Sequence, residues 1–134
     1  MNNSEISAKV EHVNLTVSNP DQIAKQLSEI FGWQTRWSGT SLDGGYTVHV
    51  GEKDDGNSYL ALYTHNKHKE NKARNHLYNA NLNHIGILVS DLDQIEQRVL
   101  GLGLKTLNHA DYEPGRRFYF YIDGDIEIEV ISYH

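Results

Sequence analysis

The stretch EHVNLTVSNPDQI (residues 11–23) recurs as NHIGILVSDLDQI (residues 83–95). At an offset of 72 the two share His12/His84, Val17/Val89, Ser18/Ser90, Asp21/Asp93, Gln22/Gln94 and Ile23/Ile95, and most other pairs are chemically similar. In the first copy Val13, Leu15 and Val17 alternate with His12, Asn14 and Thr16, the pattern of a half-buried strand over Val10–Val17. Ser18 or Asn19 then offers a helix cap, Pro20 suits the first turn and Asp21 favours the positive end of the helix dipole. Ile23, Leu27, Ile30 and Phe31 follow at helical spacing until Gly32.

Working outward, three strand-like segments follow the first helix: Trp33–Ser38, Tyr46–Val50 and Ser58–Thr64. Gly44-Gly45 and the run Asp54-Asp55-Gly56-Asn57 supply the turns between them. The second half repeats the order. His84–Val89 reads as a strand, and a helix begins at Asp91, carries Leu92, Ile95, Val99 and Leu102, and stops at Gly101 and Gly103. Strands follow at Leu104–Leu107, Arg117–Ile122 and Ile126–Ser132, with Asp123-Gly124 as a hairpin turn. The expected organisation is α+β: a module at 9–64, a linker at 65–81 and a second module at 82–133, together one domain over 1–134. Each module has one sheet face covered by its helix and one face bare, so two modules are expected to pair and share a concave surface.

Composition limits the function. Of 134 residues, 38% are hydrophobic and 22% charged, and the formal net charge is −6. That charge argues against nucleic acid or an anionic membrane as partner. The one basic stretch, HNKHKENKARNH (65–76), is short and interrupted by Glu70, as expected of a solvated connector. There is no cysteine, which excludes disulfides, thiolate metal sites and a cysteine nucleophile. No apolar run approaches the roughly 20 residues of a membrane span, and the polar start MNNSEISAK lacks the apolar core of a signal peptide. A cytoplasmic protein with a small-molecule substrate is expected.

The repeated histidine is the chemical signal. His12 and His84 sit on the polar side of equivalent strands, away from the helices. In the last strand, IEIEVIS (126–132) sets Glu127 and Glu129 opposite Ile126, Ile128 and Val130. Two histidines and one carboxylate on one side of a divalent ion form the facial triad of non-heme iron enzymes, and the same donors also suit zinc.

These residues make the chain resemble the vicinal oxygen chelate superfamily, which includes glyoxalase I, bleomycin and fosfomycin resistance proteins and type I extradiol dioxygenases. The resemblance spans about residues 9–133. It implies two tandem βαβββ modules forming an incomplete, cupped β-barrel around a central cavity that holds a metal. The superfamily's first-strand histidines match His12 and His84, and its final-strand glutamate matches Glu129 in YFYIDGDIEIE (119–129). The usual proline and second glycine of that motif are missing, so a tighter or shifted hairpin is expected. The resemblance thus implies metal ligands His12, His84 and Glu129. Fe(II) is favoured, with Mn(II), Ni(II) or Zn(II) as other candidates, and a homodimer is expected.

Within the superfamily, glyoxalase I-like members use a fourth ligand, a glutamate in the last strand of the first module. LALYTH (60–65) places Ala61 there, which counts against a metal-bound glutamate shuttling protons. Fosfomycin-resistance transferases share the three ligands, and QTRWSG (34–39) is similar to their second strand. The chain ends five residues after Glu129, however, short of the extension carrying their phosphonate-binding arginine, and Asn14 stands where they have threonine. Extradiol dioxygenases have three ligands and a tyrosine ten residues before the glutamate, where Tyr119 stands; their acid–base histidine suggests His65 or His68. The resulting expectation is a dioxygenase-like enzyme acting on a small oxygen-chelating substrate. Its catalytic groups are Tyr119, His65 and His68, and its substrate-binding residues are Asn14, Trp37, Tyr46, Tyr63 and Arg117. The alternatives are a glyoxalase I-like lyase or isomerase, and a ligand-sequestering protein like those conferring bleomycin resistance. In the sequestering reading Trp33, Trp37, Tyr46, Tyr59 and Tyr63 line an aromatic cleft.

Overall fold

The computed structural model describes residues 6–41, 43–54, 57–69, 76–113 and 115–133. Asp55, Gly56, Pro114 and the part of the basic stretch at 70–75 lie outside the described residues. The chain divides into two compact units, Met1–Ser28 with Gly32–Asn66, and Glu29–Phe31 with Lys67–His134.

In the first unit the strand β1 (His12–Thr16) leads into helix α1 (Pro20–Phe31). Asn19 is the cap: its extended backbone (φ −144°) lets the side chain accept from the Gln22 amide at 3.2 Å, which satisfies a donor with no partner inside the helix. Pro20, with no N–H to lose, occupies the first turn. Gly32 adopts φ +75° and donates its N–H to Ser28 O at 2.9 Å, a left-handed stop that glycine takes without steric cost. Strands β2 (Gln34–Thr40), β3 (Tyr46–Gly51) and β4 (Tyr59–Thr64) follow, and the sheet order is β1-β4-β3-β2 with β1 and β4 parallel. Val48, Val50, Leu60 and Leu62 are buried on one face of this sheet. Tyr46 shares that face by strand alternation and donates to Asp21 Oδ1 of α1 at 2.8 Å. The helix therefore lies on this side, and His12, Asn14, His49, Tyr59 and Ala61 belong to the other.

The second unit repeats the plan with β5 (Ile85–Leu88), α2 (Leu92–Gly101), β6 (Leu107–Tyr112), β7 (Gly115–Ile122) and β8 (Ile126–Ser132), ordered β5-β8-β7-β6. Asp91 caps α2 by accepting from the Gln94 amide at 3.1 Å. The helix lies against β7 and β8, and Leu92, Ile95 and Val99 are buried, as are Phe118, Phe120, Ile122, Ile128 and Val130. Arg116 occupies the helix-side face of β7 and donates to Asp93 Oδ1 at 2.8 Å, as Tyr46 does to Asp21 in the first unit. The described residues thus form two helices and eight strands in two four-stranded sheets, the tandem α+β plan expected from the repeat.

One strand differs from the sequence reading. The expected Leu104–Leu107 is instead Leu107–Tyr112. Its sequence, LNHADY, is poor in strand formers, and pairing with β7 from Tyr112↔Gly115 to Leu107↔Tyr119 decides the matter. The ladder accommodates Asn108 at φ +54° in a bulge between Leu107 and Ala110. At the other hairpin Asp123 (φ 51°) and Gly124 (φ 79°) are both left-handed, and the Asp125 N–H bonds to Ile122 O at 3.2 Å. This is the turn expected from the Asp-Gly pair.

Candidate metal centre

Glu129 is the polar hub of the second unit. It lies on β8, opposite Gly86 of β5 on one side and Tyr119 of β7 on the other. Only 8% of the residue is exposed. A buried carboxylate must find donors, because desolvation is otherwise uncompensated. Two donors converge on Oε2: Arg117 Nη1 at 2.9 Å and the Tyr119 hydroxyl at 3.0 Å. Burial and then the hydrogen bond to Glu129 hold the Tyr119 phenol above its ordinary value, so it keeps its proton and donates. Burial opposes the charge on Arg117, but donation to Glu129 and the neighbouring charges outweigh it and raise its pKa further. The Tyr112 ring covers the guanidinium at 4.7 Å.

The other oxygen, Oε1, stands 3.3 Å from His84 Nε2. His84 Nδ1 lies 2.7 Å from Asn83 Oδ1. That oxygen only accepts, so Nδ1 carries a proton, and in the neutral imidazole the lone pair of Nε2 is then on the side of Glu129. In that form a lone pair and a carboxylate oxygen face each other, and a proton or a metal ion between them relieves the repulsion. Bonds of about 2.0–2.2 Å at the tetrahedral angle set neighbouring ligand atoms about 3.3–3.6 Å apart, and the observed 3.3 Å lies at the short end of that range. Glu129 can offer Oε1 while Oε2 stays held by Tyr119, an arrangement in which outer partners fix the ligand's orientation. These donors therefore fit two positions around a divalent ion.

The first unit repeats half of this arrangement. His12 Nδ1 is 2.9 Å from Glu11 Oε1, the residue preceding the histidine as Asn83 precedes His84. Nε2 of His12 is thereby left outside that contact. The hydrogen bond with His12 holds the Glu11 carboxyl below its ordinary value. Ala61 takes the place that Glu129 has in the second unit: Ala61 pairs with Asn14 and His49, whereas Glu129 pairs with Gly86 and Tyr119. Around it the rings of Trp37, His49, Tyr59 and His12 follow one another at centroid distances of 5.0, 4.6 and 5.0 Å. Burial, followed by the charge of His12, lowers the His49 pKa.

The other expected site residues are dispersed. Asn14 and Trp37 lie on the His12 side of the first sheet, and Trp37 is 51% exposed. Tyr63 shares that side and donates to Asp43 Oδ2 at 2.6 Å. Tyr46 falls on the opposite, helix-covered face, where its hydroxyl is committed to Asp21. The expectation that it joins a substrate-facing aromatic surface is corrected by strand alternation. His65 follows β4 in the first unit and is half-buried, while His68 is exposed in the second. Among the described residues of either unit, no group of three or more His, Asp and Glu side chains gathers as a metal site.

Sequence reasoning missed Glu11, Asn83 and Tyr112. The first two were legible in principle, because both repeats place an oxygen-bearing side chain immediately before the histidine. It named Glu127 only as an alternative ligand. That carboxylate is buried and faces His76 Nε2 at 2.9 Å and the Tyr121 hydroxyl at 3.4 Å.

Solved structures share this fold of two βαβββ units. A glyoxylase/bleomycin resistance protein/dioxygenase domain from Frankia sp. EAN1pec matches with a TM-score of 0.78 and 21% identity, over 96% of this chain and 100% of that one. The fosfomycin resistance protein FosX from Listeria monocytogenes, in a variant solved with Mn(II) and 1S,2S-dihydroxypropylphosphonic acid, matches with a TM-score of 0.70 and 18% identity. That match covers 94% of this chain and 93% of the other. FosX from Mesorhizobium loti matches with a TM-score of 0.70 and 19% identity over 94% and 92% of the two chains. No protein-family model matches the sequence, and no curated protein is significantly similar to it in sequence. No helix among the described residues is long and apolar enough to cross a membrane.

Proposed function

We propose that the protein is a divalent-metal-dependent enzyme whose ion is held by His12, His84 and Glu129 and whose small substrate chelates through adjacent oxygens. The observation that carries this reading is the 3.3 Å approach of His84 Nε2 to Glu129 Oε1, with the opposite histidine nitrogen tied to Asn83. The matching Glu11–His12 pair supports His12 as a further ligand. The metal supplies Lewis acidity and open positions where substrate oxygens, and with Fe(II) also dioxygen, can bind.

The reaction proposed is dioxygenase-like. Ala61 supports it, since an alanine at the register position of Glu129 leaves no first-unit carboxylate for a metal-bound proton shuttle. Tyr119 keeps its proton, holds Glu129 in orientation and presents a phenol beside the ligand. Asn83 and Glu11 fix the tautomers of the two histidines. His65 and His68 are the candidate proton carriers, since an imidazole can both take up and release a proton.

A second reading is favoured by the FosX structure that carries Mn(II) and a dihydroxypropylphosphonic acid. It is addition of water to a small anionic substrate, both its hydroxyl and its proton ending on the product, with Arg117 meeting the substrate's charge. The test is elemental analysis of anaerobically purified wild-type protein beside His84→Ala and Glu129→Ala, followed by oxygen-consumption assays with catechols. About one metal per chain, lost in both variants, is expected. A wild-type protein that stays metal-free after reconstitution with Fe(II), Mn(II), Ni(II) and Zn(II) would sink the reading. Metal without oxygen uptake would favour the second reaction.

A further inference from the structure

Arg117 is an odd neighbour for a metal-binding carboxylate. Its cation lies 2.9 Å from Glu129 and neutralises the charge that a divalent ion would need. An arginine whose only purpose was to brace Glu129 would be expected to satisfy its donors. Instead Arg117 meets the carboxylate through Nη1 alone, and its Nε–H is buried with no acceptor among the described residues. A buried donor left without a partner is costly, and it points to an acceptor that joins later. The Nη1 contact leaves the Nε and Nη2 edge of the planar guanidinium as the side that fits two oxygens of one anion.

The remaining contacts allow Arg117 to change partners without dismantling the centre. Tyr112 stacks on the guanidinium from β6 and holds it by a contact that does not involve Glu129. Tyr119 donates to the same Oε2 and keeps Glu129 oriented when Arg117 withdraws. Oε1, next to His84, is not touched by Arg117.

We infer that Arg117 couples metal binding to substrate binding: a small oxyanion, such as a carboxylate or phosphonate, draws Arg117 off Glu129 and frees the carboxylate's charge for the divalent ion. This rests on the metal-site reading above and adds to it the class of substrate, an anion with two acceptor oxygens near its chelating group. Coupling of this kind is reciprocal, so the anion tightens the metal and the metal tightens the anion by the same factor.

Mn(II) binding, followed by the electron paramagnetic resonance signal of the free ion, tests the coupling without any turnover assay. For the wild-type protein, saturating methylphosphonate is expected to tighten Mn(II) binding about tenfold or more. Arg117→Met is expected to bind Mn(II) without anion as tightly as the wild type does with it, and to gain nothing further from methylphosphonate. Equal Mn(II) affinity in the two proteins, unchanged by anion, would overturn the coupling and leave the metal site standing. Equal tightening by anion in both would show the phosphonate acting on the metal alone and would also overturn it. If neither protein binds Mn(II), the coupling and the metal-site reading fail together. Absence of tightening in the wild type overturns the coupling by itself, and Arg117→Gln takes the place of Arg117→Met if the latter does not fold.

Discussion

Ala61 and Glu129 occupy the same place in their respective units, and their strand partners exchange bulk in return. Asn14 faces Ala61, and Gly86 faces Glu129. A large side chain on one strand is met by a small one on its neighbour, which keeps each face filled without overlap. A Cβ built on Gly86 would come no closer than 3.6 Å to Glu129 Oε1, an ordinary contact. Gly86→Ala is therefore expected to preserve both fold and metal content. Gly86→Asn, which copies the first unit's residue, adds bulk against the ligating oxygen and should weaken Mn(II) binding about tenfold or more. Titrating the three proteins with Mn(II) checks this, and unchanged affinity in Gly86→Asn would remove the crowding argument.

The residues that precede the histidines give a sharper test of the ligand assignment. Asn83 and Glu11 each hold a histidine Nδ1, at 2.7 and 2.9 Å. Outer partners of metal-bound histidines are typically worth about 10–100-fold in metal affinity. Asn83→Ala and Glu11→Ala should each lose on the order of tenfold, while thermal unfolding of the metal-free proteins changes little, because both side chains are exposed. An Asn83→Asp variant keeps an acceptor at Nδ1 and should retain affinity. Equal Mn(II) affinity in the wild type and Asn83→Ala would mean that His84 does not ligate through Nε2.

Much of the fold was legible because the chain states it twice. The caps at Asn19 and Asp91, the stop at Gly32 and the bounds of β8 follow from local chemistry. The strand β6 was misplaced because LNHADY has no local reason to extend and acquires one only from β7. The Tyr119–Glu129 register was equally hidden. Had the hairpin loop held Asp123 and Gly124 alone, Ile122 would pair with Asp125, and every side-chain partner would shift to the wrong face. The ladder opens instead on Ile122↔Ile126, which sets Tyr119 opposite Glu129. His12, His84 and Glu129 could be named as candidate ligands from residue type and the repeat alone, whereas the claim of Arg117 on Glu129 depends on that register. Tyr46 was misread although its alternation with Val48 and Val50 already placed it on the buried side.

The Asp123-Gly124 turn can be tested directly, since it sets that register. Gly124 stands at φ 79°, and a Cβ there meets nothing within 4 Å. Any penalty for Gly124→Ala is therefore one of backbone conformation, about 1 kcal/mol for an L-residue held in the left-handed region. Urea unfolding of the metal-free protein should show that loss with an unchanged m-value. No loss at all would mean that the turn relaxes to another form.

Asp43 anchors the turn between β2 and β3 and offers a prediction with a definite pH sense. It accepts from Ser41 Oγ at 2.5 Å, from the Tyr63 hydroxyl at 2.6 Å and from the Gly45 amide at 3.0 Å. The Ser41 bond foremost, then those of Tyr63 and Gly45, hold its carboxyl far below the ordinary value of 3.8. A carboxylate whose folded pKa is depressed adds stability that is fully present above the unfolded value and is lost as pH falls through the folded one. Thermal unfolding of the wild type and Asp43→Asn should therefore differ at neutral pH, with the variant less stable. The gap should hold down to about pH 4 and then narrow as the solution is made more acidic. The Tyr63 phenol, raised first by its bond to Asp43, should ionise at lower pH in the variant, readable from its ultraviolet absorbance. A stability gap that is constant from neutral pH to pH 2 would show that the amide fails for reasons of shape, and that the charge of Asp43 contributes nothing to the turn.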